Sequence, residues 1–515
     1  MSWKCRYHES MKGTCVRIPF CVAVCILLSI GIVDGIAETD DDVQSAASAK
    51  KETPIMIEAM RAGESRDTIH LFSFDQIPDS VEVRESLIDS WFSAPLEKVM
   101  QREAETYTDS KGNTFTVSGK YAEDEKDCYA ISIVPVLTRY RPVERGLVSP
   151  GTWILYRNAE TGAPLFIKVH PRENSALSIR LHPALKKAHS GKSFIDICLF
   201  NAYVCRDISL GLPFERLYSV SLERLRELTK AVIPWYLFDP PPYSPVKAMA
   251  KIVENHSYRL VQIKDGCFDH DGNPVHISDL QAQTEFEITA ALNMRQIRSE
   301  VIGGIDAAGF AKWIIDGMVR PVAGQGTIIQ SLKLSTSVPK THFTKPYLET
   351  RNIFFGLDWI RNLGSAALSL NLKRTVYPAD SGLDVTSCPF ALTEAAPLPL
   401  KESAEMESAQ PAFLGYQPHA GYQTSYIIPL LYYLTVAEPG HFYLACINSD
   451  TEDASVRVYD KVAVFLPYFD NWGEFHLDIY EGNEPISPND FIEKYKDTYT
   501  AIIRVWAPEE GLFNP

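Results

Sequence analysis

Positive charge is in short supply. The chain has 50 Lys and Arg against 65 Asp and Glu, a formal charge of −15. Neither nucleic acid nor an anionic membrane surface is therefore an expected partner. No CxxC pair occurs, and no His/Cys cluster has the spacing of a zinc site, so neither a metal nor a cofactor is expected. The apolar run from Phe20 to Val33 is about fourteen residues, short of the roughly twenty that a membrane span needs. No internal repeat of solenoid period is visible, which excludes a stacked-repeat architecture.

What is there begins with an export signal. Lys4, Arg6, Lys12 and Arg17 precede the apolar run, and Gly35-Ile36-Ala37 offers small residues where a signal peptidase reads. Residues 1–37 are expected to be cleaved, placing the protein in the periplasm or cell envelope, with membrane contact only through an uncleaved segment. That segment holds four basic and two acidic residues, so its removal takes −15 to −17. It also holds four of the ten cysteines, leaving six. Three bridges and fifteen connectivities are open to six thiols, and no spacing selects one. They read as small buried hydrophobes. Residues 38–54, rich in Asp, Ser and Ala, form a polar linker.

A chain of 515 residues suggests two or three domains. Residues 55–238 read as an N-terminal α+β domain of unknown role. Ile131–Val134, Trp153–Tyr156, Leu165–Val169 and Leu177–Leu181 are strand-like, with turn residues from Asn158 to Gly162 making a hairpin. Ser221 then caps a helix with Leu222, Leu225, Leu228 and Val232 on one face. Asp239-Pro240-Pro241-Pro242 continues neither helix nor central strand and marks a boundary. A second region, 245–515, opens with a helix near Pro245–Asn255. Tyr258–Lys264 and Pro274–Ile277 follow as a strand pair around Asp269-His270-Asp271-Gly272-Asn273. In that turn the glycine is fourth, whereas a calcium loop needs it sixth, so it reads as a hairpin. A second helix from Leu357 to about Leu370 falls in an insertion of about 335–418, whose Pro-rich stretch, 383–418, is taken as a surface excursion.

The most informative stretch is Gly303-Gly304-Ile305-Asp306-Ala307-Ala308-Gly309-Phe310-Ala311. Asp306 stands as an N-cap, apolar residues recur at helical spacing to Met318, and Gly317 and Pro321 supply stop signals. Asp306-Ala307-Ala308-Gly309-Phe310 resembles the Asp-Cys-Ser-Gly-Phe signature of the NlpC/p-sixty family, exported papain-like cysteine peptidases that cut the peptide stems of bacterial cell wall. That resemblance implies a helix packed on an antiparallel sheet, and it covers residues 245–515 at most. It also implies a thiolate at the helix start, where the helix dipole favours it. Here the position is Ala307, and Ala308 cannot replace it. In the family a Pro-Gly-Asp strand, a His strand and a strand with an orienting polar residue follow. Pro439-Gly440-His441, Lys461-Val462-Ala463 and Gly473-Glu474-Phe475-His476 look like these, with Lys461 at the place of the His and His476 near the orienting position.

On this alignment no catalytic residue is intact. Ala307 and Lys461 are degenerate positions, His476 is a remnant, and Asp306, Ala307, Ala308, His441, Lys461 and His476 are candidate cleft residues. The expected function is binding of peptidoglycan stem peptide or of an envelope protein without hydrolysis. One alternative is an active cell-wall hydrolase with Cys446 or Cys267 as nucleophile and His441, His270 or His476 as base, although Cys446 and His441 would point to opposite faces of one strand. Another is an envelope interaction protein without peptidase ancestry, with Tyr426–Leu434 as a core element or a contact patch.

Overall fold

Alternating apolar residues between Glu105 and Ser209 build an up-and-down antiparallel sheet. Its strands lie side by side in sequence order: β1 (Glu105–Thr108), β2 (Thr114–Tyr121), β3 (Cys128–Pro135), β4 (Thr152–Asn158), β5 (Pro164–His170), β6 (Leu177–Pro183), β7 (Ser193–Leu199) and β8 (Ala202–Ser209). The computed structural model describes residues 74–137, 148–184, 191–239, 245–294, 296–336, 354–391, 415–417, 421–450, 457–470, 473–509 and 511–515. The expected signal and polar linker lie outside the described residues. Val117, Ile131, Ile133, Leu155, Ile167, Ile179, Leu181 and Ile195 point to one face, each at most 3% exposed. They pack there with Val83 and Leu87 of helix α1 (Val81–Leu87), with Trp91 and Phe92, and with Leu222 and Leu225 of α2 (Leu222–Thr229). The Ser221 hydroxyl caps α2 by accepting from Arg224 N at 3.1 Å. The expected apolar stripe is shorter than its spacing suggests: Leu228, in the last turn of α2, and Val232, beyond its end at Thr229, are exposed.

Beyond Asp239 the chain enters a second core. Helix α3 (Pro245–Ser257) leads to β9 (Leu260–Gln262), β10 (Cys267–Phe268), β11 (Pro274–Val275), helix α4 (Glu285–Ala291), β12 (Gly303–Ile305) and the central helix α5 (Ala307–Ala323). Helix α6 (Phe355–Leu372) follows, then β13 (Tyr416–Gln417), β14 (Gly421–Gln423), α7 (Ile427–Ala437), β15 (His441–Asp450), β16 (Arg457–Phe469), β17 (Phe475–Tyr480), β18 (Pro485–Ile486), α8 (Pro488–Tyr495) and β19 (Tyr499–Trp506). The last seven strands form one antiparallel sheet in the order β13-β14-β19-β15-β16-β17-β18. The fold class is α+β.

Both faces of this sheet are covered. Phe442, Leu444, Cys446, Val462, Val464, Leu466 and Tyr480 face α3, α5 and α6. Tyr443, Ala445, Ile447, Ala463, Phe465, Leu477 and Ile479 face α7 and α8. The strict alternation is what lets two helix layers share one sheet. Helix α7 is apolar all round: Leu430, Leu431 and Leu434 meet the sheet, while Tyr432, Tyr433 and Val436 turn to the N-terminal core. Tyr426–Leu434 is thus a core element. Among the described residues no helix is long and apolar enough to cross a membrane.

Three expectations are corrected by packing. β9 pairs in parallel with β12, and β11 pairs with β10, so 258–264 and 274–277 are not partners. The stretch 383–418 is not wholly a surface excursion: among its described residues Val385 and Phe390 are buried on one face of the sheet, opposite the face on which Leu357, Trp359, Ile360 and Leu363 of α6 pack, each at most 1% exposed. Finally, α5 runs through Gly317 and Pro321 to Gly324, whose φ of +80° ends it. Pro321 has no N–H for the carbonyl of Gly317, four residues back. Asn514 N donates to that carbonyl instead, at 2.9 Å, so the C-terminal tail makes the bond that the proline lacks. Gly317 carries no side chain for the same reason: a Cβ there would stand 2.7 Å from Pro515 Cα.

Candidate functional site

Gln283 sets the approach to α5. Its side-chain amide accepts from Gly304 N at 2.7 Å and donates to the carbonyls of Gly304 (2.7 Å) and Val275 (3.0 Å), tying β12 to β11. Ile305 pairs with Gln262, and Asp306 N donates to the Gly266 carbonyl at 2.9 Å. The Asp306 carboxylate then caps α5 by accepting from Gly309 N at 2.7 Å. Burial outweighs that bond and raises its pKa to about 7, with the Asp265 charge adding to the rise. Gly309 lies so close to the preceding loop that a Cβ would meet Gly266 O at 1.9 Å.

Ala307 opens the helix, half-buried against the core. Ala308 is buried, and its carbonyl accepts from Trp359 Nε1 at 2.9 Å. One turn on, the Phe310 ring stacks on Tyr480 of β17 at 5.1 Å. The first turns of α5 therefore face the last strands, but the residues opposite are apolar.

Lys461 is not among them. Lys461 pairs with Ile447 in the same register as Ala463 and Phe465 and on their face; the β15/β16 register shifts only beyond that pair, between Ile447 and Asn448. Its side chain lies across the sheet from Ala307, and exposed, because successive strand residues alternate faces and Val462 takes the α5 side. His441 is on that far face as well, its ring edge-on to Trp506 at 4.6 Å and its Nδ1 donating to the Glu438 carbonyl at 2.9 Å. His476 is on the α5 face, four residues from Tyr480, roughly 13 Å at ordinary strand rise. There it stacks on Tyr468 at 5.3 Å and meets Asp470 at 3.3 Å; that carboxylate raises its pKa. The candidate cleft residues thus divide: Asp306, Ala307 and Ala308 stand together, while Lys461, His441 and His476 do not join them.

The thiols of the alternative reading are enclosed. Cys446 and Cys267 are 0% exposed. Burial pushes the Cys267 thiol up to about 12 and that of Cys446 well above its ordinary value. Cys446 faces the α5 side and His441 the other. His270 sits in the turn after β10, which is held by Asp269 accepting from Asp271 N and Asn273 N at 2.9 and 2.8 Å. All six cysteines among the described residues are free.

Beside the α5 N-terminus opens a groove of about 360 Å³, lined by Gln262, Asn293, Gln296, Glu481, Asn483, Glu484 and apolar neighbours. Gln262 is the strand partner of Ile305, and Glu481 follows the Tyr480 that stacks on Phe310. Asn483 donates to the Leu260 carbonyl at 2.8 Å and Gln296 to the same atom at 2.6 Å, fixing two of the walls. Lys494 holds Glu481 at 2.6 Å, while Glu484 is exposed at the rim. Sequence reasoning missed this groove: Glu481-Gly482-Asn483-Glu484-Pro485 reads as an ordinary turn, and its partners arrive from some 200 positions away, as the 223-residue separation of Asn483 from Leu260 shows.

The family model of a domain of unknown function (DUF8515) matches residues 73–237, the N-terminal sheet with its helices. No curated protein and no solved structure matches the chain.

Proposed function

We propose that the protein is an exported envelope protein whose C-terminal half is a degenerate papain-like domain that binds wall stem peptide without cutting it. The observation that carries this reading is a methyl group, Ala307, at the start of a capped core helix, together with an amide-lined groove whose Gln262 is the strand partner of Ile305. Side-chain amides offer donors and acceptors to a peptide backbone. The Glu484 carboxylate at the rim suits a peptide bearing a free amine. A thiol hydrolase would need an accessible thiolate, and burial opposes that at Cys267 and Cys446.

The test is calorimetry with a synthetic stem peptide alongside a cleavage assay on the same peptide. Saturable binding without products is expected, with Glu484→Gln weakening it by roughly three- to tenfold. Cleavage that thiol alkylation abolishes would overturn the reading, as would the absence of binding. A second reading, an envelope interaction protein without peptidase ancestry, is favoured by the placement of Lys461 and His441 on the face away from α5.

A further inference from the structure

The outer face of the N-terminal sheet, turned away from its core, carries a cluster that the groove does not use. On β6 His182 is 8% exposed at its side chain, and on β7 Asp196 is 6% exposed. Asp207, on β8, is 57% exposed and stands at the mouth. The three ligand-bearing atoms lie within 4.8 Å of one another.

His182 Nδ1 donates to the Pro183 carbonyl at 2.9 Å. A carbonyl oxygen only accepts, so the proton of a neutral ring sits on Nδ1 and the Nε2 lone pair points the other way. What it meets are two more acceptors, Asp196 Oδ2 at 3.4 Å and Asp207 Oδ1 at 3.5 Å. Two of these three acceptors, on His182 and Asp196, are buried and the third, on Asp207, is exposed; facing one another they favour a positive centre between them. A proton on Nε2 is one possibility, but a charged N–H···O bond closes to about 2.7–2.9 Å. The observed spacing is that of a coordination polyhedron: ligands at about 2.1 Å from a tetrahedral ion lie about 3.4 Å apart.

The surroundings suit an ion. The Nδ1–carbonyl bond is the outer contact that orients a metal-binding imidazole. Asp196 Oδ1 accepts from Asp207 N at 2.7 Å, so the second oxygen of Asp196 is fixed toward His182. Asp207 holds a left-handed φ of +55° beside the register shifts of β7 and β8, which turn its carboxylate back toward β6. Arg206 Nε stands 3.8 Å from the other Asp207 oxygen. Arg180, across the strand pair from Asp196, lies over the Phe166 ring at 3.7 Å and reaches toward Glu125.

We propose that His182, Asp196 and Asp207 bind a single divalent transition ion of the zinc type, with the solvent side at Asp207 completing its shell by water. Two carboxylates and a neutral imidazole neutralise such an ion and match its preference for mixed nitrogen and oxygen donors. The ligands come from three strands, which is why no spacing in the sequence reveals them.

The test is titration of the chelator-stripped full chain with Co(II) alone, a coloured stand-in for zinc. Visible bands of low-symmetry Co(II) should grow to one ion per chain and be displaced by Zn(II). Asp207→Asn replaces an exposed residue by one that tolerates the same left-handed backbone, so it leaves the fold intact. It should weaken Co(II) binding by about tenfold or more, and His182→Gln by more still. Absence of the bands in the folded wild-type chain overturns the proposal. So does Co(II) uptake that Asp207→Asn leaves unchanged, since the ion would then sit elsewhere.

Discussion

Asp306 serves its helix as a charged cap and its surroundings as a neutral acid, and the second role prevails. In the unfolded chain its carboxyl titrates near 3.8, in the fold near 7. Between these values the folded protein binds the extra proton, so stability is highest below about pH 4, falls as pH rises through 7 and is flat beyond. A loss of about 4 kcal/mol from this one group is expected across that window. Urea midpoints across that window should show it, and Asp306→Asn, which still caps the helix, should flatten the curve. At Ala307 a second outcome follows: Ala307→Cys with Lys461→His gives no hydrolysis of stem peptide, because the new imidazole starts on the far face of the sheet. Product formation by that variant in a peptide assay would show that thiol and ring do meet. The Asp306 cap was legible from its neighbours in sequence. The face of Lys461 was not, because Val462-Ala463-Val464-Phe465 is apolar on both sides and does not say which side meets α5.

At the scale of the element, α5 buries an ion pair inside its own middle. Lys312 is 0% exposed and bonds Asp316, whose other oxygen accepts from Thr327 N and Oγ1 at 2.7 and 2.8 Å. Lys312→Met leaves that carboxylate buried without its cation and should cost about 3–5 kcal/mol. Adding Asp316→Asn, which still accepts from Thr327, should recover about half, and urea denaturation of Lys312→Met, of Asp316→Asn alone and of the double variant checks the cycle. The tail is the other support of this helix. Removing Asn514 and Pro515 leaves the Gly317 carbonyl unpaired and should lower stability by about 1–2 kcal/mol, read as a drop in Tm. The start of α5 was legible from Asp306 and the apolar spacing after it. Its end was not, since the bond that carries the helix past Pro321 comes from the far end of the chain.

In the whole molecule, α7 forms one wall of two cores. The Tyr432 hydroxyl donates to the Leu237 carbonyl at 2.7 Å, and its ring packs on Phe200, Phe469 and Phe475. Tyr432→Phe should cost about 1 kcal/mol and Tyr432→Ala about 3–5 kcal/mol. In the wild-type chain, hydrogen exchange of β4 and of β15 should converge on one global opening energy; in Tyr432→Ala they should separate. The α+β class was legible from strand-like and helical runs. The sharing of a wall was not, because Tyr426–Leu434 is apolar on every side and its composition does not say which side meets which sheet.

Biosynthesis inherits a constraint from that shared wall. Leu237 and Tyr432 are 195 residues apart, so a chain made from its amino end completes the first sheet long before the tyrosine that seals it exists. Until α7 and the Phe469 strand emerge, the aromatic rim around Phe200 and Phe238 is open to water and to other chains. A cell that makes this protein must keep the nascent chain from aggregating until its last quarter has been made.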